Sequence, residues 1–458
     1  MTIVQQMASF IHHAAFDELS GIAREQIKIR ILDSLGAAIG ALASGPIRSV
    51  RAHIDDFGRS AQCSLIGGGR TSPDFAALNN SALVRYLDFN DSYLATGETC
   101  HPSDNIAAIM AAGEYAGVSG KLFMLAIAVS YQVHCRLSDE APVRAKGFDH
   151  TTQGAYAVAA GVSKVLQLDV DKTACALSIS GTPLNALRVT RTGALSHWKG
   201  LAYPYTAFAA LSSTFLAMRG VTGPMEVFEG NKGFQESIAG KFHIAWEKEN
   251  LERVNLTILK KFNAEIHSQT ILESALELLK AHAFQPGDIR KIEIRTFDVA
   301  YHIIGGGEEG NKKIVRTKEE ADHSLPYMTA VALLDGQVLP EQYLPERIRR
   351  ADAQALLQKI DVTPSEAYSR KFPGKMPGHL RIHLRDGRIL EIEKEDYHGF
   401  HTRPMSWETV RQKFEKLTLP FTDRDLRSRI VDTVYALEKH SVSDLAQLLA
   451  RVRSPELR

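Results

Sequence analysis

Residues 379–396, HLRIHLRDGRILEIEKED, alternate apolar and polar side chains on either side of an Asp386-Gly387 pair. A period of two, broken by a tight-turn dipeptide, predicts a β-hairpin. The segment KIEIRTF (291–297) alternates in the same way and predicts a strand upstream of it. Apolar residues at helical spacing occupy 268–283 and 325–335, and GGGEEGNKK (305–313) has the glycines and charges of a mobile surface connection. Residues 259–394 therefore read as a smaller α+β domain.

On both sides of that stretch the texture is helical. Residues 20–44 read as one amphipathic helix, with Ile22, Ile27, Ile29, Ile31, Leu32 and Leu35 followed by small residues. From Asn105 to Leu216, alanine-rich windows such as NIAAIMAAGEYAG and AYAVAAGVSKVL recur, and small side chains let helices approach closely. After 396, WETVRQKFEKL and RDLRSRIVDTVYALEKHSVSDLAQLLARV return to helical periodicity, with Ser441-Val442-Ser443-Asp444 as a cap for the last helix. The chain has 458 residues, beyond the roughly 250 to 300 at which one core stops growing, so two domains are expected. The predicted fold is mainly α: residues 1–258 together with 395–458 form a large all-helical domain, and 259–394 the α+β one. No internal repeat suggests a solenoid.

Charge narrows the partners. With 54 basic and 53 acidic side chains the formal net charge is +1, which supplies no field for nucleic acid or a membrane surface. Any preference for anions must be local. Cys63, Cys100, Cys135 and Cys175 form no CxxC pair, which argues against zinc, iron–sulfur or disulfide frameworks. The opening MTIVQQMASFIHHAAFDELS has no basic region followed by a long apolar run, and DSLGAAIGALAS is too short to span a bilayer, so the expected location is cytoplasmic.

The densest collection of chemically useful residues is Leu87–Asn105, LDFNDSYLATGETCHPSDN. It holds Asp88, Asp91, Asp104 and His101 among turn formers, and an apolar helical pattern starts at Ser103. The first-turn amides of such a helix can seat a carboxylate while His101 moves a proton or faces a negative charge. The same letters also suit an ordinary N-cap beside a surface histidine, and spacing alone does not choose. His150 precedes a second small-residue helix, and His197 and Lys199 flank Trp198 before a third. In LKKFNAEIHSQT (259–270), Lys260, Lys261, Glu265 and His267 stand at a helix head beside the expected domain junction, where small-molecule sites often form. Tyr327, in ADHSLPYMTAVALL, suits a core edge as well as a site.

His379 with His383 and His398 with His401 have metal-like spacings, but the first pair lies in a strand-like alternation and neither has a cysteine or carboxylate partner at ligand spacing in the sequence, so no metal is assigned. GGGEEG (305–310) fits GxGxxG by letter, yet the following NKK does not open an apolar helix. P-loop and GxSxG signatures do not occur. No cofactor is expected.

Seven segments in order, RILDSLGAAIGAL, LDFND with HPSDN, GALSHWKG, TGPMEVFEGNKGF, AEIHSQT, ADHSLPYM and GFHTRPMSWETVRQKF, resemble the MmgE/PrpD family over nearly the whole chain. That family includes 2-methylcitrate dehydratase, cis-aconitate decarboxylase and an iminodisuccinate epimerase. The resemblance implies a helical domain built from both chain ends, an α+β lid, a site between them, a homodimer and no metal. It implies pocket positions at Asp88, Ser92, His101, His150, Lys199, His267 and Tyr327, and a lysine shortly before the HSQT histidine. Here Asn263 stands where a proline is common, and Lys260 and Lys261 compete for that role. Ser92-Tyr93 replaces the Thr-Trp frequent in relatives, at a place where substrate choice can change.

The chemistry so implied is proton transfer at carbon next to a carboxylate of a small di- or tricarboxylate. In this reading His101 and His150 are the acid/base pair. Lys199, His267 and Lys260 or Lys261 hold negative charge, Asp88 orients His101 or a lysine, Ser103 seats a carboxylate, and Tyr327 is a second acid. Dehydration of 2-methylcitrate is the leading expectation, with decarboxylation of cis-aconitate and epimerisation of iminodisuccinate as alternatives. A silent binding protein on the same scaffold is the remote alternative; it would have shed its titratable residues, whereas these remain.

Overall fold

The computed structural model describes residues 1–58 and 60–453. Two compact units divide it: Met1–Thr190, Gly200–Thr257 and the chain from Ser406 onward form the first, and Arg191–Lys199 with Ile258–Met405 the second. The molecule is mainly helical, with its larger sheet in the second unit.

In the first unit the helix Gly21–Gly40 begins on Ser20, whose hydroxyl accepts the Ala23 amide at 3.0 Å. That bond satisfies one of the N–H groups every helix start leaves open. The helix stops short of the expected 44. A turn at 41–43 intervenes, and a separate helix Gly45–Phe57 starts with Pro46 in its first turn, where the missing N–H costs nothing. Helix Gly21–Gly40 packs on Pro73–Tyr86 and on the late helix Trp407–Thr418, with Gly36 so near Phe414 that an added Cβ would lie 3.3 Å away.

The alanine-rich windows become the helices Ile106–Ala116, Gly120–Glu140, Thr151–Val165 and Val170–Gly181. Their small residues do what the sequence suggested. At Gly161 a Cβ would meet Ile109 Cδ1 at 2.5 Å and Ser130 Cβ at 3.0 Å, so three helices converge on one missing side chain. Ser441 caps the last helix as expected, accepting the Asp444 amide at 3.2 Å while Asp444 accepts the Ser441 amide at 2.8 Å. Two short antiparallel ladders add to the helices: β1 (Cys63–Ser64) with β2 (Arg70–Thr71), and β3 (Tyr93–Ala95) with β4 (Glu98–Cys100).

In the second unit a four-stranded sheet has the order β6-β5-β7-β8, with β5 at Ile289–Thr296, β6 at Ile360–Pro364, β7 at Gly378–Leu384 and β8 at Ile389–Lys394. The predicted hairpin is β7–β8, and Gly387 turns it with φ of 93°. Ile292, Ile294, Leu380, Ile382 and Leu384 form the buried side of the alternation. The helix Gln269–Ala281 packs on β7 and β8, and Leu325–Asp335 on β6. On the other side His383 meets Glu293 at 3.0 Å and His379 meets Glu391 at 3.5 Å, so these spaced histidines pair across strands. The sequence reading missed β6, which lies parallel to β5: it is short, mostly exposed and ends in Pro364, tolerated because it is an edge strand. No helix among the described residues is long and apolar enough to cross a membrane.

One ion-pair cluster ties the second unit's helix to its sheet. Glu273, 2 % exposed, lies 2.8 Å from both Lys261 and Lys394 and 3.4 Å from Arg403. Burial opposes its ionisation, but hydrogen bonds from Lys261 and Lys394 bring its carboxyl down to about 2.

Two expectations follow. Gly161→Ala gains helix propensity worth under about 1 kcal/mol but overpacks a three-helix contact, for a net loss of about 1–2 kcal/mol. The urea midpoint should fall; an unchanged midpoint would show that the helices have room. Glu273→Gln should cost about 1–2 kcal/mol at pH 7, discounted because two of its three cations are substantially exposed. A lowered carboxyl stabilises above its ordinary value and loses that contribution as pH falls towards about 2. Urea unfolding at pH 7 and pH 3 should therefore show the gap between wild type and variant shrinking in acid; a constant gap would place the effect in packing.

Candidate active site

The helix Pro73–Tyr86 runs into the LDFND segment, which turns sharply at Asp88, a non-glycine residue with φ of 55°. That left-handed conformation is held by a buried arginine the sequence reading passed over. Arg85 Nη1 donates to Asp88 Oδ1 at 2.6 Å, and its Nε lies 3.6 Å from Asp104. Asn90 Nδ2 donates to Ser103 Oγ and to Asp104 Oδ1, both at 2.8 Å. Phe89 lies under Lys413, whose Nζ is 3.7 Å from the ring centroid, donates to the Phe89 carbonyl at 2.9 Å and pairs with Asp33 at 2.7 Å. The early RILDS and late VRQKF segments thus meet at one aromatic ring.

The β3–β4 hairpin folds Ser92 back onto His101, with Oγ 3.1 Å from Nδ1. Nδ1 is also 2.8 Å from the Asp91 carbonyl. A carbonyl only accepts, so this bond assigns the ring proton to Nδ1 and the lone pair of the neutral ring to Nε2. The Asp91 backbone carbonyl thus orients His101, and Asp88, expected to orient His101 or a lysine, accepts from Arg85. The seat expected at Ser103 is filled by the chain itself: the Ser103 amide donates to Asp91 Oδ1 at 3.0 Å and its hydroxyl is bonded to Asn90. The helix proper starts later, at Ile106, after a tight turn over Pro102–Asn105.

His150 stands at the start of the helix Thr151–Val165, with its ring centroid 5.3 Å from that of His101. Buried Asp149 places Oδ1 3.3 Å from His150 Nδ1. Tyr203 stacks on the His150 ring and donates to Asn105 Oδ1 at 2.6 Å. Gly154 makes room for that tyrosine, since a Cβ there would fall 2.5 Å from its ring. The first unit therefore brings Ser92, His101 and His150 together and backs each ring with buried polar groups.

The second unit holds the remaining residues. Lys199 Nζ is 2.8 Å from Asp322 Oδ1 and 2.9 Å from His323 Nδ1. Burial raises the Asp322 carboxyl, but Lys199, then Lys318 and His323, hold it far below the usual range. His267 Nδ1 is 2.6 Å from Glu265 Oε1, and the His267 amide donates to Glu265 Oε2 at 2.7 Å. The carboxylate assigns the His267 proton to Nδ1; Nε2 is buried with no hydrogen-bond partner among the described residues. Phe297 and Phe372, stacked at 4.5 Å, each lie 5.6 Å from the His267 ring. Burial opposes a charge on Glu265, yet His267, His323 and Lys260 keep its carboxyl low.

The two adjacent lysines differ in burial. Lys260 is 0 % exposed and within electrostatic reach of Glu265, whereas Lys261 points to the Glu273 cluster. Tyr327 is buried, and its hydroxyl donates to the Gln342 carbonyl at 2.5 Å, a contact that occupies the proton expected for acid chemistry. Asp322 and His323 were passed over although they sit in the quoted ADHSLPY motif; two adjacent titratable residues at a helix N-terminus were the available signal.

The first unit's histidine pair is suited to proton transfer and the second unit's lysines to anions. A model of the MmgE/PrpD N-terminal domain matches residues 5–247, and one of the MmgE/PrpD C-terminal domain matches residues 262–438. The chain is 26 % identical to the mitochondrial 2-methylcitrate dehydratase of Yarrowia lipolytica, over 93 % of this chain and 84 % of that protein. It is 25 % identical to the cis-aconitate decarboxylase of Mus musculus, over 100 % and 94 %. The 2-methylcitrate dehydratase of Escherichia coli is 28 % identical, over 84 % and 83 %. With both domain models matched in order across most of its length, this chain belongs to the MmgE/PrpD family.

Proposed function

We propose that this protein is a lyase that moves a proton at the carbon next to a carboxylate of a small tricarboxylate, with dehydration of a 2-methylcitrate-like hydroxy acid as its reaction. The observation that carries the reading is the His101–His150 pair, two imidazoles 5.3 Å apart with each Nδ1 facing a fixed oxygen. Removing a carbon-bound proton and protonating a departing hydroxyl need a base and an acid that both work near neutral pH, which imidazoles do.

His101 is assigned as base, because its tautomer puts the lone pair on Nε2. His150 is assigned as acid, with Asp149 beside Nδ1 to stabilise the imidazolium before it gives up its proton. Abstraction at carbon makes a dianionic enediolate, and fixed cations in a water-poor setting stabilise it by a few kcal/mol each. Lys199 and Lys260 are assigned that role. His267, oriented by Glu265, is a further donor to a carboxylate or to the departing hydroxyl. Tyr327 is assigned to holding the 340–343 turn through Gln342. Asp88 and Ser92 are assigned to substrate positioning through the loop they shape, and Ser103 to support of that loop. No metal, a homodimer and a cytoplasmic location belong to the same proposal.

Decarboxylation of cis-aconitate is the second reading, favoured by the full-length match to the mouse decarboxylase. Proton NMR in deuterated water separates the two. Incubation with 2-methylcitrate, citrate, cis-aconitate and iminodisuccinate should show loss of water from 2-methylcitrate with deuterium exchange at carbon. Carbon dioxide release from cis-aconitate would replace the dehydratase reading, and exchange on iminodisuccinate without net product would favour epimerisation. His101→Ala and His150→Ala should each lower kcat by about 10²–10⁴ while the circular dichroism spectrum and urea midpoint hold. Near-normal turnover by either variant would remove that residue from the mechanism.

A further inference from the structure

The loop GGGEEGNKK was expected to lie on the surface, and most of it does. Between Gly306 and Ile314, however, the two buried residues are Glu309 and Lys312, while Ile314 is 54 % exposed. This segment turns charges inward and an isoleucine outward, the reverse of what burial of apolar surface would produce. A buried ammonium loses its hydration, so it persists only where something else repays that loss.

Lys312 is 8 % exposed. No hydrogen bond or ion pair joins its Nζ to any described residue. Its backbone is nonetheless fixed: the Ser324 hydroxyl donates to the Lys312 carbonyl at 2.5 Å, and Ser324 Oγ in turn accepts the Tyr327 amide at 3.1 Å to cap the helix Leu325–Asp335. The loop is thereby clipped beside Asp322 and His323, the residues that hold Lys199. Burial makes the Lys312 ammonium easier to discharge than an ordinary lysine, outweighing the nearby carboxylates of Glu309 first and then Glu265, Asp322 and Glu320.

We infer that Lys312 binds a carboxylate of the substrate remote from the reacting carbon, making the loop 305–313 a selector for tricarboxylates over dicarboxylates. The assignment rests on the polycarboxylate reading above. A third carboxylate reaching Lys312 would accept hydrogen bonds that no described residue takes from this largely buried ammonium. A dicarboxylate of similar length gains nothing from this residue.

The test uses the full-length protein and two unreactive probes, tricarballylate and glutarate, titrated calorimetrically. Wild type should prefer tricarballylate, and Lys312→Met should lose about 10- to 100-fold in affinity for it with little change for glutarate. Lys312→Arg should restore part of the preference. Should Lys312→Met fail to fold, Lys312→Gln carries the same comparison. Equal loss for both probes, or an unchanged preference, overturns the inference, as does wild type that binds tricarballylate no tighter than glutarate. In turnover, the variant should raise KM with kcat within about threefold of wild type, the signature of lost uniform binding. Failure of the lyase reading is separate: it appears as no turnover by wild type while the Lys312-dependent preference persists.

Discussion

Asp91 uses every oxygen it has inside the first unit. Its carbonyl faces His101 Nδ1 at 2.8 Å, Oδ1 accepts the Ser103 amide at 3.0 Å and Oδ2 accepts the Tyr131 hydroxyl at 2.8 Å. One residue thus sets the tautomer of a histidine, closes the open start of the following turn and anchors the loop to the helix Gly120–Glu140. The cost of leaving any of these buried groups unsatisfied, about 1–3 kcal/mol each, makes the arrangement close to all-or-none. The left-handed Asp88, the Arg85 ion pair and the Asn90 bridge all shape the backbone so that Asp91 can reach three partners at once.

The second unit meets a related problem with opposite charge. Asp322 is buried where a carboxylate alone would not stay ionised, and the neighbouring ammoniums of Lys199 and Lys318 keep it so. Glu265 does the same for His267 and Lys260. Each carboxylate lets cations be held away from water in a fixed position.

Close packing of helices is the condition for both arrangements. Gly154 admits the Tyr203 ring that backs His150, and Gly161 lets three helices meet. The alanine-rich texture is therefore more than helix propensity: small side chains leave the volume into which tyrosine, histidine and arginine are fitted.

Periodicity and turn chemistry made much of the fold readable from the chain: the β7–β8 hairpin, the strand at 289–296, the helices at 269–281 and 325–335, and the Ser441 cap are local patterns that tertiary contacts did not override. The motif order identified the family, and with it the candidates His101, His150, Lys199 and His267, because residue type at a position in a motif is carried by the letters alone. Pairing is not carried that way. That His101 leans on the Asp91 carbonyl, that the Ser103 amide is taken up by the protein's own carboxylate, and that Lys260 is buried while its neighbour Lys261 is not, all depend on how the chain folds back on itself. Their partners lie ten or more residues away along the chain, beyond the reach of local pattern. The loop at 305–313 shows the same limit from the other side. Its composition is that of a surface connection, and only the clip between Lys312 and Ser324 turns one of its lysines inward.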